Sequence, residues 1–154
     1  MIHSLQTFVI CPNVIIVRDQ KILLLRRVEK ASFFAGYWHV PTGKIEGNES
    51  PKQTIVREVF EEIGLRTNPF LETVVATKIP HFKNPELTWK DISLFFVVQE
   101  FEGEPFNKEP HLHDAMEWFD INHLPDPIIP VVKFGIEQYM KGKAYGEFGY
   151  GDMP

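Results

Sequence analysis

Residues 50–63 constrain the fold most, because they carry the signals that begin and end an amphipathic helix. Ser50 and Gln53 form a capping-box pair, and Pro51 takes the first helical position, where its missing N–H costs nothing. Gly64 follows the last turn, where a left-handed residue commonly ends a helix. At ~100° per residue, the apolar side chains fall in one arc of roughly 140° and are expected to face the core. They are Ile55, Val56, Val59, Phe60 and Ile63.

Three glutamates project from another side of this helix. Glu58, Glu61 and Glu62 fall within a separate arc of roughly 100°, and their spacing brings side chains to within ~5–6 Å of each other. Because the three carboxylates repel one another, they need a compensating positive charge nearby. Arg57 or a hard divalent cation can supply it. The helix alone leaves two interpretations open: a solvated acidic surface, which is common on helices, and a cation site.

The residues before the helix extend the acidic cluster into a longer pattern. The segment reads G-x5-E-x7-R-E-U-x-E-E-x-G-U, where U is aliphatic, and every defined position is filled. Average residue frequencies put the chance of this match at a given start below about one in 10⁸, so the pattern is specific. The defined positions are Gly43, Glu49, Arg57, Glu58, Val59, Glu61, Glu62, Gly64 and Leu65.

This pattern resembles the signature of the Nudix hydrolases. The resemblance implies a fold of the α/β (α+β) class, an α/β/α sandwich with a mixed central sheet, and a single domain over residues 1–154. It also implies hydrolysis of nucleoside diphosphates linked to another group, with Mg²⁺ or Mn²⁺ as the cofactor. By position, Glu49 and Arg57 are expected to form a supporting ion pair that orients the loop against the helix. The resemblance assigns metal binding to Glu58, Glu61, Glu62 and the carbonyl of Gly43.

The likeness extends beyond the signature, to small MutT-like members of the family. Arg26-Arg27 resembles an arginine pair whose second member contacts phosphate, so Arg27 is expected to bind substrate phosphate. The loop that ends at Glu109 resembles one that supplies a further glutamate, as a metal ligand or a general base. The catalytic group is therefore Glu58, Glu61 and Glu109, with the base left open between the last two. No protein nucleophile is needed, because a bound metal lowers the pKa of its water.

Composition and charge restrict the kinds of binding partner and the cellular location that we expect. The chain has 154 residues and a net charge of -5, which argues against duplex nucleic acid as a partner. The resemblance implies a small-molecule nucleotide as the partner. A homodimer stays open. The one cysteine, Cys11, lies in an apolar stretch and is expected to be a buried small side chain. The sequence shows no signal-like start and no apolar run near ~20 residues, so no membrane segment and a cytoplasmic location are expected.

Strands outnumber helices in the rest of the chain, which predicts a mixed sheet with helices packed on its faces. Residues 131–140 have helical spacing, and the Gly- and aromatic-rich residues 142–154 are expected to form a docked or partly ordered tail. β-Branched and aromatic content predicts strands over 8–17, 21–27, 72–78 and 92–101, a hairpin turn at 18–20, and short extended segments at 37–40 and 116–119.

Two groups of residues outside the signature carry more than one interpretation. His81, His111 and His113 match no compact zinc spacing, and a substrate contact at His81 or His113 is the alternative to a structural role. Four aromatic side chains can either fill the core or stack on a nucleobase: Trp38, Phe82, Trp89 and Trp118.

Three functions are weighed from the sequence. The first is hydrolysis of a nucleoside triphosphate to monophosphate and pyrophosphate. The second is the same chemistry on ADP-ribose, a dinucleoside polyphosphate or a capped RNA end, and the third is a catalytically silent nucleotide sensor. Residues 124–128 offer no clear counterpart to the asparagine that reads an oxidised guanine in MutT-type members, which weighs against sanitation of mutagenic nucleotides.

Overall fold

The computed structural model describes residues 5–151, and in this part of the chain nine strands and two helices form. In chain order they are β1 (Val9–Arg18), β2 (Lys21–Arg27), β3 (Trp38–His39), α1 (Pro51–Ile63), β4 (Arg66–Thr67), β5 (Phe70–Pro80), β6 (Thr88–Val98), β7 (Phe101–Glu102), β8 (His113–Asp120), α2 (Pro130–Met140) and β9 (Tyr145–Phe148). No helix in residues 5–151 is long and apolar enough to cross a membrane.

The central sheet is mixed, with the strand order β3-β2-β1-β6-β5-β9 and β8 paired to β2. β1 and β6 run parallel, as do β5 and β9, and the other pairs of this sheet are antiparallel. β1 and β2 pair only beside their turn, at Val17 with Ile22 and Arg18 with Lys21. Beyond that point β1 follows β6 while β2 follows β8, so the sheet splits and leaves room for the loop that leads into α1.

That loop is fixed in the split by backbone and side-chain hydrogen bonds to β1. The backbone N–H of Val14 donates to the carbonyl of Pro41 at 3.0 Å, and the Thr42 hydroxyl donates to the carbonyl of Pro12 at 2.7 Å. Gly43, the next residue, is therefore held beside the sheet, in the loop that leads into α1.

Two apolar layers cover the two faces of the sheet. Side chains alternate along β1 and β2, as the period of two requires. One layer contains α2 residues and the other α1 residues, which confirms the predicted α/β/α sandwich with a mixed sheet. The α2 side includes Ile15, Leu24, Phe95, Val132 and Ile136, and the α1 side includes Val14, Leu23, Ile55, Val59 and Ile63.

Helix α1 begins and ends where the sequence predicts. The Ser50 hydroxyl accepts from the Gln53 backbone N–H at 3.1 Å, and the Gln53 side chain accepts from the Ser50 N–H at 2.8 Å. Gly64 ends the helix with a φ of 76°. The predicted buried face is partly wrong, because Val56 and Phe60 are exposed.

The buried face of α1 is rotated toward the acidic side of the helix. Thr54 and Glu62 are buried beside the three aliphatic residues that do face the core. A helical wheel records the chemistry of each arc but not which elements pack on it, and the segment after β7 packs on the last turn of α1. The Phe106 N–H donates to the Ile63 carbonyl at 3.1 Å, and the Lys108 N–H donates to the Glu62 carbonyl at 2.9 Å.

The other strand predictions are confirmed with shifted ends, and three strands were missed. β5 and β6 are longer than predicted at their shared hairpin, and β8 begins earlier. β4 and β7 are two-residue strands that pair with each other. Of the two alternatives left open for the tail, docking is the one observed, and the tail docks as a strand. β9 adds to the edge of β5 in parallel, with Thr77 opposite Phe148. Residues 152–154 of the predicted tail lie outside the described part.

Candidate active site

Arg57 is the centre of the predicted site and bonds to three glutamates. Its Nε donates to Glu49 Oε1 at 2.6 Å, and its Nη2 donates to Glu49 Oε2 at 3.1 Å. Its Nη1 donates to Glu58 Oε1 at 2.8 Å and to Glu61 Oε2 at 3.2 Å. The hydrogen bonds to Glu49 are the main cause of the raised pKa of Arg57, and the hydrogen bond to Glu58 adds to it. One guanidinium thus supplies counter-charge to the loop and the helix together.

Glu49 ties the loop before α1 to the helix, as the expected supporting pair requires. Besides Arg57, its Oε2 accepts from the Thr54 hydroxyl at 3.0 Å and from the Glu46 backbone N–H at 3.2 Å. The hydrogen bond from Arg57 is the main cause that lowers the pKa of Glu49 to about 2. Glu49 is therefore ionised, and its oxygens are committed to holding the loop.

Gly43 lies directly against the side chain of Glu58. A Cβ built at Gly43 would overlap Cγ, Cδ and Oε1 of Glu58. The close approach explains why a glycine is needed here, and it places the Gly43 backbone beside a predicted metal ligand. A side chain at this position would take the space of the Glu58 carboxylate.

Glu62 is the most buried member of the acidic cluster. It is 5% exposed, and its Oε2 has no hydrogen-bond partner. Burial, followed by the charges of Glu58 and Glu109, raises its pKa well above the ordinary value. Burial also raises the pKa of Glu58, against the opposing hydrogen bond from Arg57. The fold thus holds a carboxylate where its charged form is poorly compensated.

Glu109 joins this cluster from a distant part of the chain. The bonds from Phe106 and Lys108 to the end of α1 hold its loop in place, and the Asn107 side chain accepts from the Glu109 N–H at 3.1 Å. The charge of Glu109 contributes to the raised pKa of both Glu58 and Glu62. The structure therefore brings the predicted loop glutamate to the predicted helix glutamates.

The donor set fits a hard divalent cation. Its members are carboxylate oxygens plus a backbone carbonyl, the ligands that Mg²⁺ and Mn²⁺ prefer, and the Oε2 of Glu62 is buried without a partner. Across residues 5–151, no three acidic, histidine or cysteine side chains lie close enough together to hold a metal. Here Arg57 donates to both Glu58 and Glu61 and serves as the counter-ion.

Arg27 and Arg26 point to different surroundings. Arg27 Nε donates to the Phe33 carbonyl at 3.0 Å, and its guanidinium lies over the Phe33 ring. Burial lowers the pKa of Arg27, while the charge of Glu62 opposes that change, which places Arg27 near the acidic cluster. Arg26 pairs instead with Asp114 at 2.7 Å. The geometry is compatible with the expectation that Arg27, rather than its neighbour, meets a phosphate.

A buried histidine pair lies beside Arg27, and one member was missed from the sequence. The rings of His39 and His113 have centroids 5.0 Å apart. Burial is the main cause that lowers the pKa of His39 to about 3 and of His113 to about 4, so both are neutral at pH 7. His39 Nε2 and His113 Nδ1 lack hydrogen-bond partners. An isolated histidine in a short strand gives no sequence signal, whereas the pairing of β3 and β8 with β2 brings these two together.

Comparison with known proteins decides the family. The model of the NUDIX domain matches residues 10–138, most of the chain and all of the glutamates above. The chain belongs to the Nudix family. It is 33% identical over 112 residues to an 8-oxo-dGTP diphosphatase of Escherichia coli, covering 70% of this chain and 79% of that one. It is 32% identical over 129 residues to an ADP-ribose pyrophosphatase of Methanocaldococcus jannaschii, covering 84% and 71%.

A solved structure agrees with the fold of this Nudix domain. The MutT Nudix hydrolase from Burkholderia pseudomallei superposes with a TM-score of 0.74 at 30% identity, covering 86% of this chain and 98% of that one. The MutT-like resemblance predicted from the sequence is confirmed. The expectation of a hydrolase that acts on phosphoanhydride bonds is confirmed at the level of the family, whose named relatives are diphosphatases and pyrophosphatases.

Removing the charge of Glu62 is expected to stabilise the metal-free protein. A glutamine keeps the size of the side chain but buries no charge, so Glu62→Gln should raise the free energy of unfolding by on the order of 1 kcal/mol, or roughly 2–4 °C in Tm. Millimolar Mg²⁺ should raise the Tm of the unaltered protein by mass action and leave the variant unchanged. Differential scanning calorimetry with and without Mg²⁺ measures both effects. A Mg²⁺-induced rise of equal size in both proteins would contradict a role for Glu62 in cation binding.

Proposed function

We propose that this chain is a divalent-cation-dependent nucleotide pyrophosphohydrolase. Its substrate would be a nucleoside triphosphate, cleaved to monophosphate and pyrophosphate, or a related nucleoside diphosphate derivative, cleaved to monophosphate and the phosphorylated other group. One observation carries the proposal: Glu62 is buried with an unpartnered Oε2, next to the charges of Glu58 and Glu109. Such a cluster is costly unless a cation is bound, and the family supplies the chemistry in which that cation acts.

The same residues would hold the metal. Glu58, Glu61 and Glu62 come from α1, Glu109 comes from the loop after β7, and the Gly43 carbonyl comes from the loop before α1. When bound, Mg²⁺ or Mn²⁺ neutralises the diphosphate, polarises phosphorus and lowers the pKa of an attacking water.

Protein groups would then position the substrate and move the proton. Arg27 binds a phosphate oxygen with a guanidinium whose Nε is fixed by the Phe33 carbonyl. Glu61 or Glu109 removes the proton from the water, a contribution of typically ~10²–10⁴ in rate. Glu49 and Arg57 act through the others, by holding the loop and the helix in register.

The domain extent, cellular location and oligomeric state are also part of this proposal. We assign the activity to one domain over residues 1–154 in the cytoplasm, acting on a small-molecule nucleotide rather than duplex nucleic acid, in keeping with the net charge of -5. A homodimer is a second proposal, which light scattering after size-exclusion chromatography tests directly.

A different diphosphate substrate is the second candidate. The relative from Methanocaldococcus jannaschii is named as an ADP-ribose pyrophosphatase, which favours ADP-ribose over a dinucleoside polyphosphate or a capped RNA end. All three compounds require the same bond chemistry. A silent nucleotide sensor is disfavoured, because every defined position of the signature is filled.

Product analysis separates these functions. The protein is incubated with Mg²⁺ or Mn²⁺ and a panel of nucleoside triphosphates, ADP-ribose and dinucleoside polyphosphates, and the products are resolved by anion-exchange chromatography. We expect monophosphate and pyrophosphate from triphosphates. Monophosphate with ribose 5-phosphate would instead assign ADP-ribose as the substrate. Tight binding of a nucleotide without turnover of any compound, with either Mg²⁺ or Mn²⁺ present, would contradict the assignment as an enzyme and support a nucleotide sensor.

A further inference from the structure

His39 and His113 form a buried pair of imidazoles that the proposed reaction does not use. Their ring centroids lie 5.0 Å apart, with an angle of 36° between the ring planes. The two residues are 3% and 5% exposed. His39 Nε2 and His113 Nδ1 have no hydrogen-bond partner in the described part of the chain. Because buried polar atoms are nearly always paired, two unpaired ring nitrogens on neighbouring side chains point to a bound group.

The backbone holds both histidines in place. His39 lies on β3 and His113 begins β8, and both strands pair with β2. The His113 N–H donates to the Glu109 carbonyl at 3.0 Å, and the His113 carbonyl accepts from the Asn107 side chain at 2.7 Å. The two rings are therefore brought together by the sheet and its adjoining loop. A ligand that bound them would meet a site that is already formed, which lowers the entropy cost of binding.

The other histidines in residues 5–151 have different surroundings. His81 Nδ1 accepts from the Lys83 N–H at 3.1 Å, and the His81 ring stacks on Phe82. His111 is exposed, and the side chain of His123 is 84% exposed. Within these residues, only the pair of His39 and His113 combines deep burial with unpartnered ring nitrogens.

Two neutral imidazoles suit a transition-metal ion better than Mg²⁺. Each offers one nitrogen lone pair, and imidazole nitrogen is a preferred ligand of Zn²⁺, Ni²⁺ and Cu²⁺, whereas Mg²⁺ prefers oxygen. At a Zn–N distance of ~2.0–2.1 Å, a Zn²⁺ bound by both rings would lie about 3.2 Å from each ring centre. Centroids 5.0 Å apart then correspond to an N–Zn–N angle of about 103°, close to the tetrahedral ~109° of Zn²⁺ sites.

Charges of both signs lie near the pair. Burial is the main cause of the low pKa of both histidines, and the charge of Arg27 adds to it, so Arg27 opposes a second cation here. Two carboxylates act against Arg27. The charge of Glu62 raises the pKa of Arg27 against the effect of burial, and the charge of Asp114 acts to raise the pKa of His113. The positive charge beside the pair is therefore partly compensated.

We propose that His39 and His113 form a second metal site, which binds Zn²⁺ or a similar transition-metal ion through His39 Nε2 and His113 Nδ1. Water completes the coordination, because no third acidic, histidine or cysteine side chain in residues 5–151 lies close enough to join the pair. With two protein ligands, the ion is bound reversibly, unlike the ion of a structural zinc site with four. The site uses nitrogen rather than the carboxylate oxygens proposed for Mg²⁺, so the inference does not depend on the proposed function.

Titration calorimetry of the full chain with Zn²⁺, in a large excess of Mg²⁺, tests the site without any turnover. We expect His39→Asn and His113→Asn each to lower the Zn²⁺ affinity by at least about tenfold, since even loss of a group that only supports a metal ligand costs ~10–100-fold. His123→Asn is the matched control and should bind as the unaltered chain does. Glu62→Gln should also keep its Zn²⁺ affinity. A loss in Glu62→Gln but in neither buried-histidine variant would place the ion among the carboxylates and overturn the inference.

Nuclear magnetic resonance of the histidine rings identifies the ligand atoms in the unaltered protein, and it decides the question should the asparagine variants fold poorly. In ¹H–¹⁵N spectra of the imidazoles, saturating Zn²⁺ should shift the signals of His39 Nε2 and His113 Nδ1 and leave those of His123 in place. Unchanged signals from both buried rings would show that the pair holds no metal. So would an unaltered Zn²⁺ affinity in two folded asparagine variants.

Discussion

Glu58→Gln is expected to lower kcat about 10²–10⁴-fold with a nucleoside triphosphate and Mg²⁺, the range typical of a lost catalytic carboxylate. Glutamine keeps the shape of the side chain and can still accept from Arg57 Nη1, now 2.8 Å from Glu58 Oε1. It removes one negative charge beside Glu62 and Glu109, where the proposed cation would be held. Glu61→Gln should give a loss in the same range. Steady-state kinetics on both variants measure the effect.

Glu72→Gln is the matched control for these substitutions. Glu72 is exposed on β5, away from the acidic cluster, so the same chemical change should leave kcat and KM unaltered. Circular dichroism and Tm establish that the variants fold. Full turnover in both Glu58→Gln and Glu61→Gln would remove the basis for assigning the α1 glutamates to the chemistry.

Helix α1 and the spacing of its glutamates could be predicted because their signals are local. Ser50, Gln53 and Gly64 act within a turn of their own positions, so no knowledge of the rest of the fold is needed. The burial of Glu62 could not be predicted in this way. It depends on the loop that ends at Glu109, which is distant in sequence and packs on the end of α1.

The features that were missed all depend on pairing between distant segments. β9 contains two glycine-flanked aromatics without a clear alternation, and it becomes a strand because β5 presents a free edge at Val74–Thr77. His39 meets His113 only because β3 and β8 both pair with β2. Phe33 likewise meets Phe82 of the β5–β6 hairpin, and nothing local to either segment indicates the contact.

Gly43→Ala is expected to lower kcat about 10²-fold while the protein remains folded, because it displaces the carboxylate of Glu58. The overlap is with Cγ, Cδ and Oε1 of Glu58, the movable end of a side chain rather than backbone. The glutamate can therefore rotate away and spare the fold, yet a displacement of about 1 Å in a catalytic group can cost about 10²-fold in rate. Kinetics and thermal denaturation of the same preparation measure both quantities.

Gly47→Ala tests the opposite combination in the same loop. Gly47 has a φ of 53°, and a Cβ there meets no atom within 4 Å, so alanine adds backbone strain of about 1–2 kcal/mol without touching Glu58. Gly47→Ala should therefore lose stability and keep its kcat, whereas Gly43→Ala should keep stability and lose kcat. If both variants lost stability and activity in parallel, both glycines would be needed only for the folding of the loop. Unaltered activity in a folded Gly43→Ala protein would mean that Glu58 can leave its position without cost, and that the reaction does not take place beside it.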